Sequence, residues 1–428
     1  MVFSATPNAV ADDGEKITIV WMDDQYGEVL ENIRMKYVIE PFLAEHPNIE
    51  IDWRPITETT KEIRIQMSVS DGPDLLTLDG PTDAFDFLKE GRIIPLNEYA
   101  EKYGWNDLIF DWALGTATSP EGQLACIPNS WEGMVLYWNN DILEKEGWQP
   151  PKTYDDLLKI NEVVRDRGYL TTIQQGTSGN PGFNEWWQSA LFGAYAGGKA
   201  TKDLLTGKIK YTDDPIKGQF ERHVEIWNNG VLGNRDTFAI TRDDCRAMFT
   251  QGMFPFMMEG TWYLSRLLAD ESGTNWGGGM LPSFREGFEP DFPLAIGSVF
   301  CINAAASKEK QDAVAELIDF IFKNEDLHIK AIEAGMQPLP RNIDASKFSD
   351  QMPALQKDLL AALNDSMASG KVSFCTWTFF PNDLRTYQKD QFEEVLLGNM
   401  TLDDFLAGCQ ELLDNDLANG SVVPLPDL

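Results

Sequence analysis

The feature that most constrains this chain is an alternation of strand-like and helix-like patterns beginning at residue 17. Ile17-Thr18-Ile19-Val20-Trp21 is a β-branched run that ends in a polar turn, Met22 to Gly27. From Glu28, Leu30, Ile33, Tyr37 and Val38 recur at helical spacing until Pro41 interrupts them. Ile49-Glu50-Ile51-Asp52-Trp53 alternates as a second strand, and Asp74 to Leu78 reads as a third that ends at Asp79-Gly80. This βαβαβ order predicts a parallel sheet covered by helices, with ligands held at the carboxyl ends of its strands. Two later segments predict helices with one apolar face each. One carries Ala313, Val314, Leu317, Ile318 and Ile321, and the other Phe405, Leu406, Cys409, Leu412 and Leu413. The doubled aspartates at 155, 213, 243 and 403 fall at predicted helix starts, where acids complement the helix dipole.

At 428 residues the chain is too long for one ordinary core and calls for two lobes or three. With 43% hydrophobic residues it has the apolar material to build them. The formal charge of −33 argues against polyanionic partners, so nucleic acid and anionic membrane surfaces are excluded. No repeat of fixed period is visible, and no apolar stretch is long enough to cross a bilayer. The first sixteen residues lack the basic start and apolar run of a secretory signal.

Motifs for chemistry are sparse. His46, His223 and His328 are scattered, the five cysteines form no C-x-x-C pair, and no metal site or cofactor is expected. An odd cysteine count leaves at least one thiol unpaired within the chain. One pair could bridge, and spacing does not say which. Trp276 to Gly279 is glycine-rich but precedes Met280-Leu281-Pro282 where a phosphate loop would need a helix, so it reads as a turn into a strand. Asp414-Asn415-Asp416 lacks the ligand and glycine spacing of a calcium loop. Glu132, Glu185 and Glu259 each neighbour a tryptophan, which keeps a glycosidase using two of them in view.

The 13 tryptophans carry the positive signal. Four segments join indoles to hydrogen-bonding groups, and each reads as a loop: Pro128 to Gly133, Phe183 to Trp187, Glu259 to Tyr263 and Thr376 to Pro381. A sugar offers apolar C–H faces to an indole and a rim of hydroxyls to carboxylates and amides. A single tryptophan ordinarily belongs to a core. Four such segments together favour a carbohydrate surface, with Trp186 and Trp187 expected to split between cleft and core.

Several stretches, in this order, resemble the extracellular solute-binding proteins of bacterial ABC importers, in the carbohydrate-binding group that includes maltodextrin-binding proteins. They are ITIVW, EHPNIEIDW, GPDLLTLDG with FLKEGRIIPLNEYA, and above all GQLACIPNSWEGMVLYWNNDILEKEGWQPPKTYDDLL. FTQGMFPFMMEGTWYL, SVFCINAAASKEKQDAVAELIDFI and GNMTLDDFLAGCQELLDNDL follow, so the resemblance runs from about Ile17 to about Leu417.

The resemblance implies a two-lobed periplasmic-binding-protein fold of α/β class, with a hinge and an interlobe ligand cleft. It implies a tether over 1–16, an N-terminal lobe from 17–129 and 294–345, and a C-terminal lobe from 130–293 and 346–428. The crossings would fall near Asn129-Ser130, near Pro293-Leu294 and between Arg341 and Met352. It implies a monomeric, non-catalytic receptor outside the cytoplasm that hands an oligosaccharide to permease subunits by closing its lobes. Contact with the membrane would come through the permease or a lipid anchor, although no lipobox cysteine precedes the fold. With the aromatic–polar segment Asn184, Glu185, Trp186 and Trp187, the candidate ligand residues are those carried over by the resemblance, Asp23, Asp24, Gln25, Asp79, Trp131, Glu132, Glu259, Gly260, Trp262, Gly297, Ser298 and Trp377. The negative charge favours neutral sugars unless basic groups such as Arg341 or Arg385 line the cleft. A peptide or polyamine ligand on the same fold is the remaining alternative.

Overall fold

Ile17–Asp23 (β1) forms where its β-branched residues predict, with Ile19 and Trp21 fully buried. The computed structural model describes residues 16–426, except 26, 58, 179–181 and 234 and the side chains of residues 236 and 345. The tether expected over 1–16 therefore lies, apart from residue 16, outside the described residues. β1 pairs in parallel with Ile49–Pro55 (β2) and with Leu75–Leu78 (β3). Two later strands complete this first sheet, Ile127–Pro128 (β4) and Val299–Ile302 (β9), giving the order β2-β1-β3-β9-β4 with β9 antiparallel to both neighbours. The second sheet is built on Trp131–Asn139 (β5), which lies between Phe256–Gly260 (β6) and Phe292–Ile296 (β8). Val372–Phe374 (β10) extends it beyond β8, and Trp276–Gly279 (β7) also pairs with β5.

Each sheet is the centre of one lobe, and the chain passes between them as strands. The outward passage is Asn129-Ser130, between β4 and β5. The return lies at Gly297-Ser298, because β8 still belongs to the second sheet and β9 to the first. That is a few residues beyond the Pro293-Leu294 expected from sequence, since Pro293 and Leu294 pair with β10 and β5. The helix Lys308–Lys323 packs beneath β1, and Ala354–Ser369 packs on β7, so the third passage falls between them.

The predicted apolar faces form as expected. Ala313, Val314, Leu317, Ile318 and Ile321 are buried in the helix Lys308–Lys323, whose Ser307 side chain caps the Lys310 N–H. Leu402–Asn419 buries Phe405, Leu406, Cys409 and Leu413, while Leu412 is half-buried at the edge of the stripe. Each such side chain contributes roughly 1.5–3 kcal/mol on burial. Asp414 to Asp416 lie within this helix and make no ion-binding loop.

Other local readings differ. The first helical run passes through Pro41 as far as Glu45, because a π-helical turn at Met35–Ile39 places Pro41 at the start of a fresh α-helical turn, where its missing N–H costs little. Trp276 to Gly279 is itself a strand, its glycines leaving room for the Trp138 indole over Gly277. Of the four segments read as loops, Phe183 to Trp187 is helical within Gly182–Leu191, Thr376 to Phe379 is a helical turn, and Trp131 to Gly133 opens β5.

Gly133 marks how closely the two central strands of the second lobe approach. A Cβ there would come within 2.2 Å of the Phe292 ring and 2.3 Å of the Pro293 carbonyl oxygen. Gly133→Ala should therefore lower stability by about 1–3 kcal/mol, the usual scale of overpacking. Urea unfolding with an unchanged midpoint would show that β8 moves aside without cost.

Candidate functional site

The lobes face each other across a cavity of about 500 Å³ lined from both sides. The first lobe supplies the chain that leaves β1 and β3. Asp23 ends β1 with its carboxylate fully engaged, accepting from Arg34 Nε at 2.9 Å, Trp53 Nε1 at 3.1 Å and Thr77 Oγ1 at 3.2 Å. It is 0% exposed, positions the loop and does not line the cavity. Asp24 and Gln25, next in line, do face the cavity, with Gln25 Nε2 donating to Asp24 Oδ1 at 2.8 Å. Asp79, just beyond β3, also lines it, held by its N–H donating to Thr60 Oγ1 at 2.9 Å.

The second lobe supplies the aromatic surface. Trp186, Trp262 and Trp377 all line the cavity in an unbroken row. The first two ring centroids are 5.4 Å apart at 57°, and the last two 5.7 Å apart at 77°. Trp262 is fixed from beneath. Its Nε1 donates to Glu259 Oε1 at 2.8 Å, and Arg246 Nη2 donates to the same oxygen at 2.7 Å. Glu259 is 0% exposed and serves as the anchor of the platform. Gly260 lets the indole lie against the backbone, since a Cβ would fall 2.2 Å from its ring. Both residues therefore support Trp262 and are not themselves in the lining.

Glu132, the second residue of β5, reaches the cavity beside Trp377 and is seated over Gly297, where a Cβ would come 2.1 Å from its Oε2. Glu185 lines the cavity too, held by Thr376 Oγ1 at 3.0 Å and by Arg385 Nε. Arg385 also lies 3.7 Å from Asp83 of the opposite lobe, so one guanidinium spans both. Other interlobe contacts flank it. Thr82 Oγ1 donates to the Trp377 carbonyl at 3.3 Å, and Asn382 Nδ2 donates to Asp86 at 2.7 Å.

The remaining expected residues sit elsewhere. Trp131 is buried against Phe110 and Trp112 and does not line the cavity. Trp187 points into the core against Phe284 and His223, so of the adjacent pair only Trp186 meets the cavity. Asn184 is 0% exposed, its amide without a hydrogen-bond partner among the described residues. Ser298 is buried in the hinge, accepting from Asn129 Nδ2 at 2.9 Å. The cavity thus receives three indoles, and the fourth expected platform belongs to the core.

What sequence reasoning missed is basic. Lys61, Arg242, Arg246, Arg266 and Lys389 all line the cavity with Arg385, whereas Arg341 instead donates to the Phe322 carbonyl. Arg242 and Arg246 are four residues apart on the helix Arg242–Thr250 and therefore share a face. That spacing, just before the strand leading to Trp262, was a usable signal. Gln337 joins the site from the third passage, donating to the Thr261 carbonyl at 2.8 Å and accepting from its hydroxyl at 2.6 Å.

Carboxyls crowd the floor. Burial first, then the charge of Asp23, pushes Asp24 up to about 7. Burial and the charge of Asp24 hold Glu132 well above the carboxylate range, against a hydrogen bond from Trp377. Burial also raises Asp79, and it raises Asp83 to about 6 in spite of Arg385.

Arg246→Met would leave the Glu259 carboxylate buried without its cation and should cost about 3–5 kcal/mol in urea unfolding. The double variant Arg246→Met/Glu259→Leu should lose less than Arg246→Met alone. A raised carboxyl such as Asp24 binds more protons folded than unfolded. Its contribution to stability is therefore present below about pH 4 and is lost as pH rises towards about 7. Asp24→Asn should flatten the fall in melting temperature between those limits, and an unaltered pH profile would remove Asp24 as its source.

Residues 37–373 match the family model described as bacterial extracellular solute-binding protein. Among curated relatives, the maltodextrin-binding protein MdxE of Bacillus subtilis (strain 168) is 22% identical over 365 residues, 81% of this chain and 78% of that one. The sn-glycerol-3-phosphate-binding periplasmic protein UgpB of Rhizobium meliloti (strain 1021) is 23% identical over 253 residues, so the match spans about half the length of each, 55%. Of solved structures, a chitin oligosaccharide binding protein superposes with a TM-score of 0.79 at 19% identity, over 95% of this chain and all of that one. A maltose-bound T. maritima MalE3 gives 0.72 at 19% identity, over 93% and 99%. Among the described residues no helix is long and apolar enough to cross a membrane. With two sheets joined by strand passages, a cleft between them and a family model matched over most of its length, the chain belongs to the bacterial extracellular solute-binding proteins.

Proposed function

We propose that this chain is the non-catalytic carbohydrate receptor of a bacterial ABC importer, closing its lobes over a short oligosaccharide and presenting the closed form to the permease. The observation that carries this reading is the row Trp186, Trp262 and Trp377 along a cleft rimmed by carboxylates, guanidiniums and an amide. Indoles take the C–H faces of successive sugar units, and the charged rim takes their hydroxyls. A cavity of about 500 Å³ suits a ligand of a few sugar units. The relatives named for maltodextrin and chitin oligosaccharide support the same class. Closure follows if the ligand binds both lobes, because it then favours the state in which both reach it.

The competing readings meet specific obstacles. A glycosidase needs two available carboxyls facing across the sugar. Glu259 is sealed beneath Trp262, and Glu185 is held by Arg385 and Thr376, which leaves Glu132 without a partner from the proposed set. A polyamine would meet six basic side chains in the lining. Those same side chains mean that the overall charge of −33 no longer argues for a neutral sugar, since the local lining decides. Attachment through a lipid anchor and action as a monomer complete the proposal.

A thermal-shift screen across neutral gluco-, xylo- and chito-oligosaccharides, uronate oligomers and polyamines tests this, because a ligand selective for the folded state raises its melting temperature. A response to polyamines alone would overturn it. For the sugar that responds, Trp262→Ala should weaken binding by about 1–3 kcal/mol in calorimetry. Unchanged affinity would take Trp262 out of the site, and cleavage of that sugar on incubation would reinstate an enzyme.

A further inference from the structure

Two cysteines of the first lobe face each other on the strands that enter and leave the hinge. β4 and β9 run antiparallel, with Ile127 opposite Phe300 and Pro128 opposite Val299. Continued one residue beyond β4, away from the hinge, the same register sets Cys126 against Cys301. At the hinge end, the Asn129 N–H donates to the Ser298 carbonyl at 2.8 Å, which marks that pair as hydrogen-bonded. Hydrogen-bonded and non-hydrogen-bonded pairs alternate along an antiparallel ladder. Pro128, which has no N–H to give, accordingly falls in a non-hydrogen-bonded pair, and so does Cys126. In such pairs the Cα atoms stand about 4.5 Å apart with side chains at their closest. A disulfide spans Cα separations of about 4.4–6.8 Å. The two thiols are close enough for Cys126 to raise the Cys301 thiol beyond what burial does, and both are fully buried. Cys245 and Cys409 lie on separate helices, and Cys375 follows β10 in the other lobe.

We propose that Cys126 and Cys301 form a disulfide that staples the two hinge strands together within the first lobe. Each thiol gives up a proton, one S–S bond forms, and two electrons pass to the disulfide of an external oxidant, which leaves as two thiols. The family's extracellular setting is one in which such bonds persist, and nothing in the inference depends on what the cleft holds. Reaction precedes complete burial of the pair. It occurs during folding, or when β4, a two-residue strand at the sheet edge, opens. The bridge would hold the β4–β9 pairing while the residues beyond it, Asn129-Ser130 and Gly297-Ser298, remain free to bend. It would also close a loop containing the whole of β5 to β8, the kind of long loop whose closure restricts the unfolded chain most.

Refolding the reduced full chain from urea in oxidised and reduced glutathione, then trapping free thiols with iodoacetamide, tests this by non-reducing peptide mass mapping. The Cys126 peptide should appear joined to the Cys301 peptide, two hydrogens lighter and separated by reductant. The bridged protein should melt about 5 °C above the reduced one. Cys301→Ser should melt identically in both buffers, while Cys409→Ser should retain the bridge and the shift. Alkylated Cys126 and Cys301 after refolding, or a bridge to another cysteine, would overturn the pairing, a result readable in the unmutated protein. A bridge without any rise in melting temperature would overturn the stapling role.

Discussion

The passage of the chain between its sheets as paired strands is the constraint on which the rest depends. Asn129 and Ser298 are joined twice, backbone to backbone at 2.8 Å and side chain to side chain at 2.9 Å, at the point where β4 and β9 give way to β5 and β8. Because these segments continue directly into paired strands of both sheets, the separation and facing of the lobes follow from strand geometry. Glu132 and Gly297 come next along the same strands, which places a carboxyl at the floor of the cleft without any loop to position it. The Gln337–Thr261 pair adds a third tie at the last passage.

Above that floor the site is organised by burial of charge. Glu259, out of solvent, holds Trp262 from one side and Arg246 from the other, so the indole is fixed before any ligand arrives. Such preorganisation removes part of the ordering cost of binding. Gly260 and Gly297 act in the same direction, each allowing a side chain to lie where a methyl group would stand. Burial raises the floor carboxyls Asp24, Asp79 and Glu132, Asp24 as far as about 7. The cleft is therefore polar in two different ways, a wall of guanidinium donors facing a floor of buried carboxyls.

Much of the architecture was legible in local pattern. The period of two at Ile49 to Trp53, the helical stripe at Ala313 to Ile321 and the acid-capped helices each report a single element, and each element formed. Nine of the sixteen candidate site residues line the cavity, among them Asp24, Asp79, Glu132 and the three indoles. Asp23 and Glu259 fall outside the lining, which sequence does not reveal because a carboxylate looks the same whether it meets a ligand or an arginine. Trp131 and Trp187 fall outside it for a related reason. On a strand or helix the face a residue presents depends on what packs there, and neighbouring residues commonly part ways.

The sequence by itself determined the strand–helix alternation that opens the first lobe, the two later helical stripes and the aromatic–polar segments, because these rest on periodicity and composition along the chain. Tertiary structure alone decided which carboxylates were spent on arginines, which indoles met the cleft, and that basic side chains from four separate helices gather there. It also brought Cys126 within reach of Cys301. Those outcomes join residues far apart in the chain, and a distance set by folding leaves no mark on local spacing.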